Sequence, residues 1–163
     1  MRQLEQNAHV VVGLSPQAIT GAVTVDSICL KNYQHCTVII GVTKGAGTET
    51  AAVALTQDTS VTPTGSVKAL PFSWMWKTDD IVTTDVPVKT AVTANTFNLG
   101  GVANKNSLYV IEIDTDTMDT DGGFDCLTVT LATLTTGTGG FVLFVLSQPR
   151  FVDQTTHLTA ITD

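Results

Sequence analysis

Clustered positive charge is missing from this sequence. Its 163 residues hold only 8 Lys and Arg against 15 Asp and Glu, a formal net charge of −7. The basic residues, Arg2, Lys31, Lys44, Lys68, Lys77, Lys89, Lys105 and Arg150, are scattered with no run among them. A nucleic-acid surface needs gathered Lys and Arg to displace counterions, so no DNA or RNA binding is expected. Anionic membrane surfaces are disfavoured for the same reason. Long apolar runs are missing too: the longest, Phe141 to Leu146, is far too short to span a bilayer. Met1 to Gly13 has no basic segment leading into an apolar core, so no signal peptide is expected. Cysteine is scarce and odd in number, at 3. That argues against a disulfide framework and for reduced, mostly buried thiols in a protein made in cytoplasm.

Charge as a whole is low, at 14% of residues, and threonine takes its place at roughly one residue in six. Threonine is polar, β-branched and stiff at χ1, which suits a half-exposed pleated surface better than a helix. The length implies one domain, and surface scaling implies that about two-thirds of the unfolded chain's surface becomes buried. Such a core needs no metal or disulfide staple.

The pattern along the chain is that of strands. Residues 1–20 show no sustained period, apart from Val10-Val11-Val12, and read as an N-terminal arm. The β domain is expected over 21–149 and a polar C-terminal tail over 150–163. Within the domain, Val23 to Asp26 begins to alternate. The runs 36–43 and 51–55, around Lys44-Gly45-Ala46-Gly47-Thr48, predict a β-hairpin. Val67 to Trp76 predicts a strand interrupted by Pro71, Asp58 to Gly65 a loop, and Val82 to Val92 a further strand region. In 109–114, Tyr109, Ile111 and Ile113 alternate with Val110, Glu112 and Asp114, and 127–131 alternates strictly, as a strand with one buried face does. Residues 141–146 are apolar throughout, which predicts a strand buried on both faces. With turn signals between such short runs, the expected fold is all-β: an antiparallel β-sandwich or jelly-roll-like barrel with short helical turns.

Candidate chemistry is sparse. Asp114, Asp116, Asp119, Asp121 and Asp125 lie close in sequence, and carboxylates of that density can ligate Ca²⁺. The EF-hand order fails, because Asp119 stands where the sharp turn needs glycine. The simpler reading is a helical turn capped by Asp114 or Asp116, with Gly122-Gly123 leading into the next strand. Cys29, His35 and Cys36 suggest part of a zinc site, but Cys126 is the one further cysteine and has no histidine nearby, so core thiols are expected. His9 and His157 fall in the expected arm and tail, there is no Gly-x-Ser-x-Gly turn, and Lys44 to Thr48 lacks phosphate-loop order. No catalytic residue, cofactor or resident metal is therefore expected, and no enzyme activity. Phe72, Trp74 and Trp76 alternate, which predicts three aromatics on one side of a strand. They fit a core ladder, a subunit interface or a sugar platform.

The stretch Val110-Ile111-Glu112-Ile113-Asp114 through Asp121-Gly122-Gly123-Phe124-Asp125-Cys126 resembles a group of small structural proteins of tailed bacteriophages. Weaker similarity lies at Gln3-Leu4-Glu5-Gln6-Asn7-Ala8 and Leu30-Lys31-Asn32-Tyr33. The resemblance implies a virion protein made in the host cytoplasm, specifically a capsid decoration (cement) protein on the head exterior. Its partners would be the major capsid protein or other virion subunits, with a homo-oligomer, such as a trimer, on a symmetry axis. The alternatives are a head–tail connector or tail component, and a carbohydrate- or host-binding module.

Overall fold

A computed structural model describes residues 7–21, 23–62, 66–100, 102–150, 157 and 159–161. Strands form where β-branched and apolar residues alternate: β1 (Ala8–Gln17), β2 (Ile28–Cys29), β3 (Tyr33–Lys44), β4 (Thr50–Asp58), β5 (Val67–Ala69) and β6 (Trp74–Thr78). They continue with β7 (Val88–Ala91), β8 (Thr96–Gly100), β9 (Asn106–Asp114), β10 (Cys126–Leu131) and β11 (Gly137–Pro149). A six-stranded sheet runs β1-β11-β3-β9-β6-β7, and a second sheet runs β2-β10-β4-β5, with β8 also on β4. The pairings are antiparallel. The two sheets pack as a sandwich rather than a closed barrel, so the all-β expectation resolves to its first form.

The inward rows explain the packing. Cys36, Val38, Ile40 and Val42 of β3, Tyr109, Ile111 and Ile113 of β9, and Val142, Phe144 and Leu146 of β11 are all buried. They meet Ala51, Val53 and Leu55 of β4 and Leu127, Val129 and Leu131 of β10 in one core. Period-2 alternation puts each set on a single side of its strand.

Several sequence expectations change. The runs at 36–43 and 51–55 are strands but not a hairpin. β3 takes its ladder bonds from β11 and β9, while β4 pairs with β10, β5 and β8. Gly45 to Glu49 instead carries the chain from one sheet to the other, with Gly47 at φ 126°. Two apolar runs around a short glycine connection look alike in both arrangements, and only partner choice separates them. Val67 to Trp76 likewise splits into β5 in one sheet and β6 in the other, with Pro71 in the crossing segment. Val23 to Asp26 is irregular chain, and the region after Val82 becomes regular only at Val88.

The expected arm is a strand from Ala8 onward. β1 pairs with β11 from Ala8↔Ser147 to Gln17↔Gly140, with register shifts on either side of Leu14 that hide its period in the sequence. Residues 1–6 and the Pro63–Gly65 part of the expected loop lie outside the described residues, as do 151–156 of the tail. What is described of the tail is held: Ala160 is buried and its carbonyl accepts from the Cys29 amide at 2.6 Å.

Candidate functional site

The outward side of the larger sheet departs from the usual polar surface. Val12, Leu143, Ile39, Val110, Trp76 and Lys89 stand in one row across all its strands, each directly opposite the next. Directly opposed side chains lie about 5 Å apart, so five of these residues form a continuous apolar band ending at a lysine. Across six strands the band is roughly 24 Å long. Val10, Val145 and Phe141 widen it at the β1–β11 side, and Trp74 and Ala91 at the β6–β7 side. Phe141, Leu143 and Val145 are only half-buried. The strand expected to be buried on both faces is therefore fully buried on its inner face and only half-buried on its outer one.

Exposure is greatest at the far edge. Trp74 is 51% and Trp76 40% exposed, with the intervening Met75 buried in the core. Ile81, Val82, Val86 and Val88, leading into the edge strand β7, are also exposed. The Lys89 ammonium lies 4.6 Å from the Trp74 ring centroid and 5.9 Å from that of Trp76. Phe72 does not join them. It lies before β6 in the crossing segment, buried edge-on against Phe97 at 6.1 Å between centroids. Alternation holds only within a strand, and Pro71 delays the start of this one. The predicted ladder is thus two exposed tryptophans and one core phenylalanine.

The band grades into a charged corner. Glu112 and Asp114 succeed Val110 on the outward side of β9, opposite Thr37 and His35 of β3. Glu112 accepts from His35 Nε2 at 2.6 Å and from the Thr37 hydroxyl at 2.7 Å, and Asp114 accepts from His35 Nδ1 at 2.7 Å. Partial burial works against the charged imidazole, but the two carboxylates outweigh it and raise the His35 pKa above its ordinary value.

Past this corner, the Asp-rich segment forms two short 3-10 turns, Thr115–Thr117 and Thr120–Gly122. The capping side chain is Asp119, accepting from the Gly122 amide at 3.1 Å, rather than Asp114 or Asp116. Asp114 is engaged with His35, and Asp119 is paired with Lys68, which holds its carboxyl below the usual range. Among the described residues, Asp114, Asp116, Asp119 and Asp121 are not gathered around one point as Ca²⁺ ligands would be.

Other candidates are regrouped. Cys36 faces the core from β3, so it and His35 point to opposite sides of one sheet and Cys29 lies in the other. Cys29 is instead opposite Cys126 across β2 and β10, beside Asp125, and one donor atom from each of the three lies within 4.8 Å of the others. The two cysteines are 97 positions apart, and nothing in their spacing signals this. His9 and His157, from opposite ends of the chain, stack with centroids 4.6 Å apart. The Tyr33 hydroxyl lies 3.3 Å from His9 Nδ1 and 3.5 Å from His157 Nδ1. This ring cluster ties the tail to the start of β1.

No family model matches the chain, and no curated protein matches it. Among solved structures it is similar to the SPBc2 prophage-derived protein YomS, at 12% identity and a TM-score of 0.45, over 87% of this chain and 94% of that one. A second similarity is to the Clostridium thermocellum N-terminal endo-1,4-beta-D-xylanase 10B, CBM22-1-GH10 modules complexed with xylohexaose. There the identity is 8% and the TM-score 0.31, over 93% of this chain and 28% of that one.

Proposed function

We propose that this chain is a non-enzymatic structural subunit of a tailed-phage particle, a decoration protein that binds the assembled head shell through the outward face of its larger sheet. The apolar band carries the proposal. Soluble monomers rarely expose contiguous apolar patches beyond a few hundred Å². This face presents two half-exposed tryptophans, residues that dominate interface energetics when covered. The phage assignment rests on the sequence resemblance over Val110 to Cys126, of which Val110, Glu112 and Asp114 lie on this same face.

The mechanism is one of mass action. A protein that binds only the assembled lattice stabilises that lattice over free subunits, and many copies multiply the effect. The net negative charge keeps the remaining surface from adhering to nucleic acid. A sugar platform is disfavoured by Lys89, because its ammonium already occupies the Trp74 ring face on which a sugar would stack.

The test is localisation in purified particles. Hundreds of copies per head, lost together when Trp74 and Trp76 are both replaced by serine, support the proposal. A dozen copies or fewer, confined to the neck or tail, would replace it with the connector reading.

A further inference from the structure

The outward side of the smaller sheet carries an unusual group of donors. Cys126 of β10 stands opposite Cys29 of β2 on one side and opposite Asp58 of β4 on the other. Asp125 precedes Cys126, and its Oδ1 lies 3.4 Å from the Cys126 sulfur. Cys126 is fully buried, and Cys29 and Asp125 are half-buried. Asp58 is 1% exposed. Its Oδ2 accepts from the Thr128 hydroxyl at 2.8 Å, while its Oδ1 is buried with no hydrogen-bond partner. Neither Asp58 nor Asp125 has an ion pair among the described residues.

Two thiols and two carboxylates are thus neighbours on this sheet, and among the described residues no Lys or Arg pairs with either carboxylate. A carboxylate oxygen buried without a partner is costly, and two acids beside two thiols compound the cost. A bound cation reverses each of these penalties.

We propose that Cys29, Cys126 and Asp125 bind a thiophilic divalent cation of the zinc class, with Asp58, opposite Cys126 on β4, as a second carboxylate beside this trio of ligands. Sulfur and oxygen ligands at zinc distances are separated by about 3.6 Å along a tetrahedral edge, and two sulfurs by about 3.8 Å. The 3.4 Å between Cys126 and Asp125, and the 4.8 Å bound on the whole set, need only small side-chain adjustments to meet those values. Soft thiolates select zinc-class ions over Ca²⁺ or Mg²⁺. The site joins the two-residue strand β2 to β10, so binding closes a long loop of chain at the shortest strand of the fold. It lies on the sheet opposite the proposed docking face and stands whether or not that face binds a shell.

The test uses the reduced full-length protein without oxygen, with Co²⁺ as the spectroscopic probe. The expected result is one Co²⁺ per chain with a thiolate-to-cobalt charge-transfer band, displaced by Zn²⁺, and a melting temperature that rises with Zn²⁺ and falls on chelation. Cys29→Ser and Cys126→Ser should each lose the band. Asp58→Asn should weaken the affinity about ten- to a hundredfold. Absence of the band in the reduced wild-type protein overturns the proposal. So does a thiol count of one in denatured, unreduced protein, which would mark Cys29 and Cys126 as a disulfide instead.

Discussion

The ammonium of Lys89 sits over the ring of Trp74, at 4.6 Å from its centroid, across the β6–β7 pair. An exposed cation on an exposed indole is worth about 0.5–1 kcal/mol, and it places the one charge of the outward band at its edge.

Replacing Trp74 and Trp76 together with serine should therefore separate binding from folding. Each ring is about half exposed, so the unfolding free energy should fall by only about 2 kcal/mol, read as a lower thermal midpoint of a protein that still folds. Binding to heads should fall by at least tenfold, read by co-sedimentation. A variant that binds heads like the wild type would remove the outward face from the proposal.

Two glycines in the larger sheet should respond differently to valine. A side chain at Gly13 would run into the ring of Phe144, which is fully buried and cannot yield. Gly13→Val should cost about 1–3 kcal/mol in denaturant unfolding. At Gly41 the obstacle is the ring of Phe141, half-buried on the outward side and able to swing away. Gly41→Val should cost less than Gly13→Val, and the reverse order would contradict the assigned faces.

His35 gives a pH dependence with a definite sign. Its pKa is raised in the folded state by Glu112 and Asp114 against the opposing effect of burial. Its contribution is therefore fully present below the unfolded value of about 6.5 and is lost as pH rises through the folded value. The stability difference between wild type and His35→Gln should be larger near pH 5.5 than near pH 8. Equal differences at both would show that the imidazole gains nothing from its two carboxylates.

Glu49 should act in the opposite direction. Hydrogen bonds, first from the Thr136 side chain and then from backbone amides and Thr135, lower its pKa to about 2. Its contribution is present above the ordinary value of 4.5 and is lost as pH falls toward 2. In Glu49→Gln, the acid-side decline in stability should be shallower than in wild type over that interval, measured by thermal melts across pH.

The periods of single strands were legible without coordinates. The runs at 36–43, 51–55, 109–114, 127–131 and 141–146 all lie within observed strands, because alternation is a local consequence of the pleat. β1 was not legible as a long strand, since its register shifts interrupt the period that would reveal it. The aromatic ladder failed at Phe72 for a related reason: the chain changes sheet there, and alternation does not carry across such a change.

What the sequence determined by itself was class and charge. Abundant threonine and short alternating runs point to an all-β fold, which the two sheets bear out, and composition alone sets the net charge of −7. Tertiary structure decided the partners. It sent the β3–β4 connection between sheets, left the outward band from Val12 to Trp76 partly exposed, and brought Cys29 to Cys126. Strand pairing depends on which edges remain free after the rest of the chain has folded, and that is a property of the whole assembly of strands. Local pattern sets the face of each residue, and pairing alone sets its neighbour.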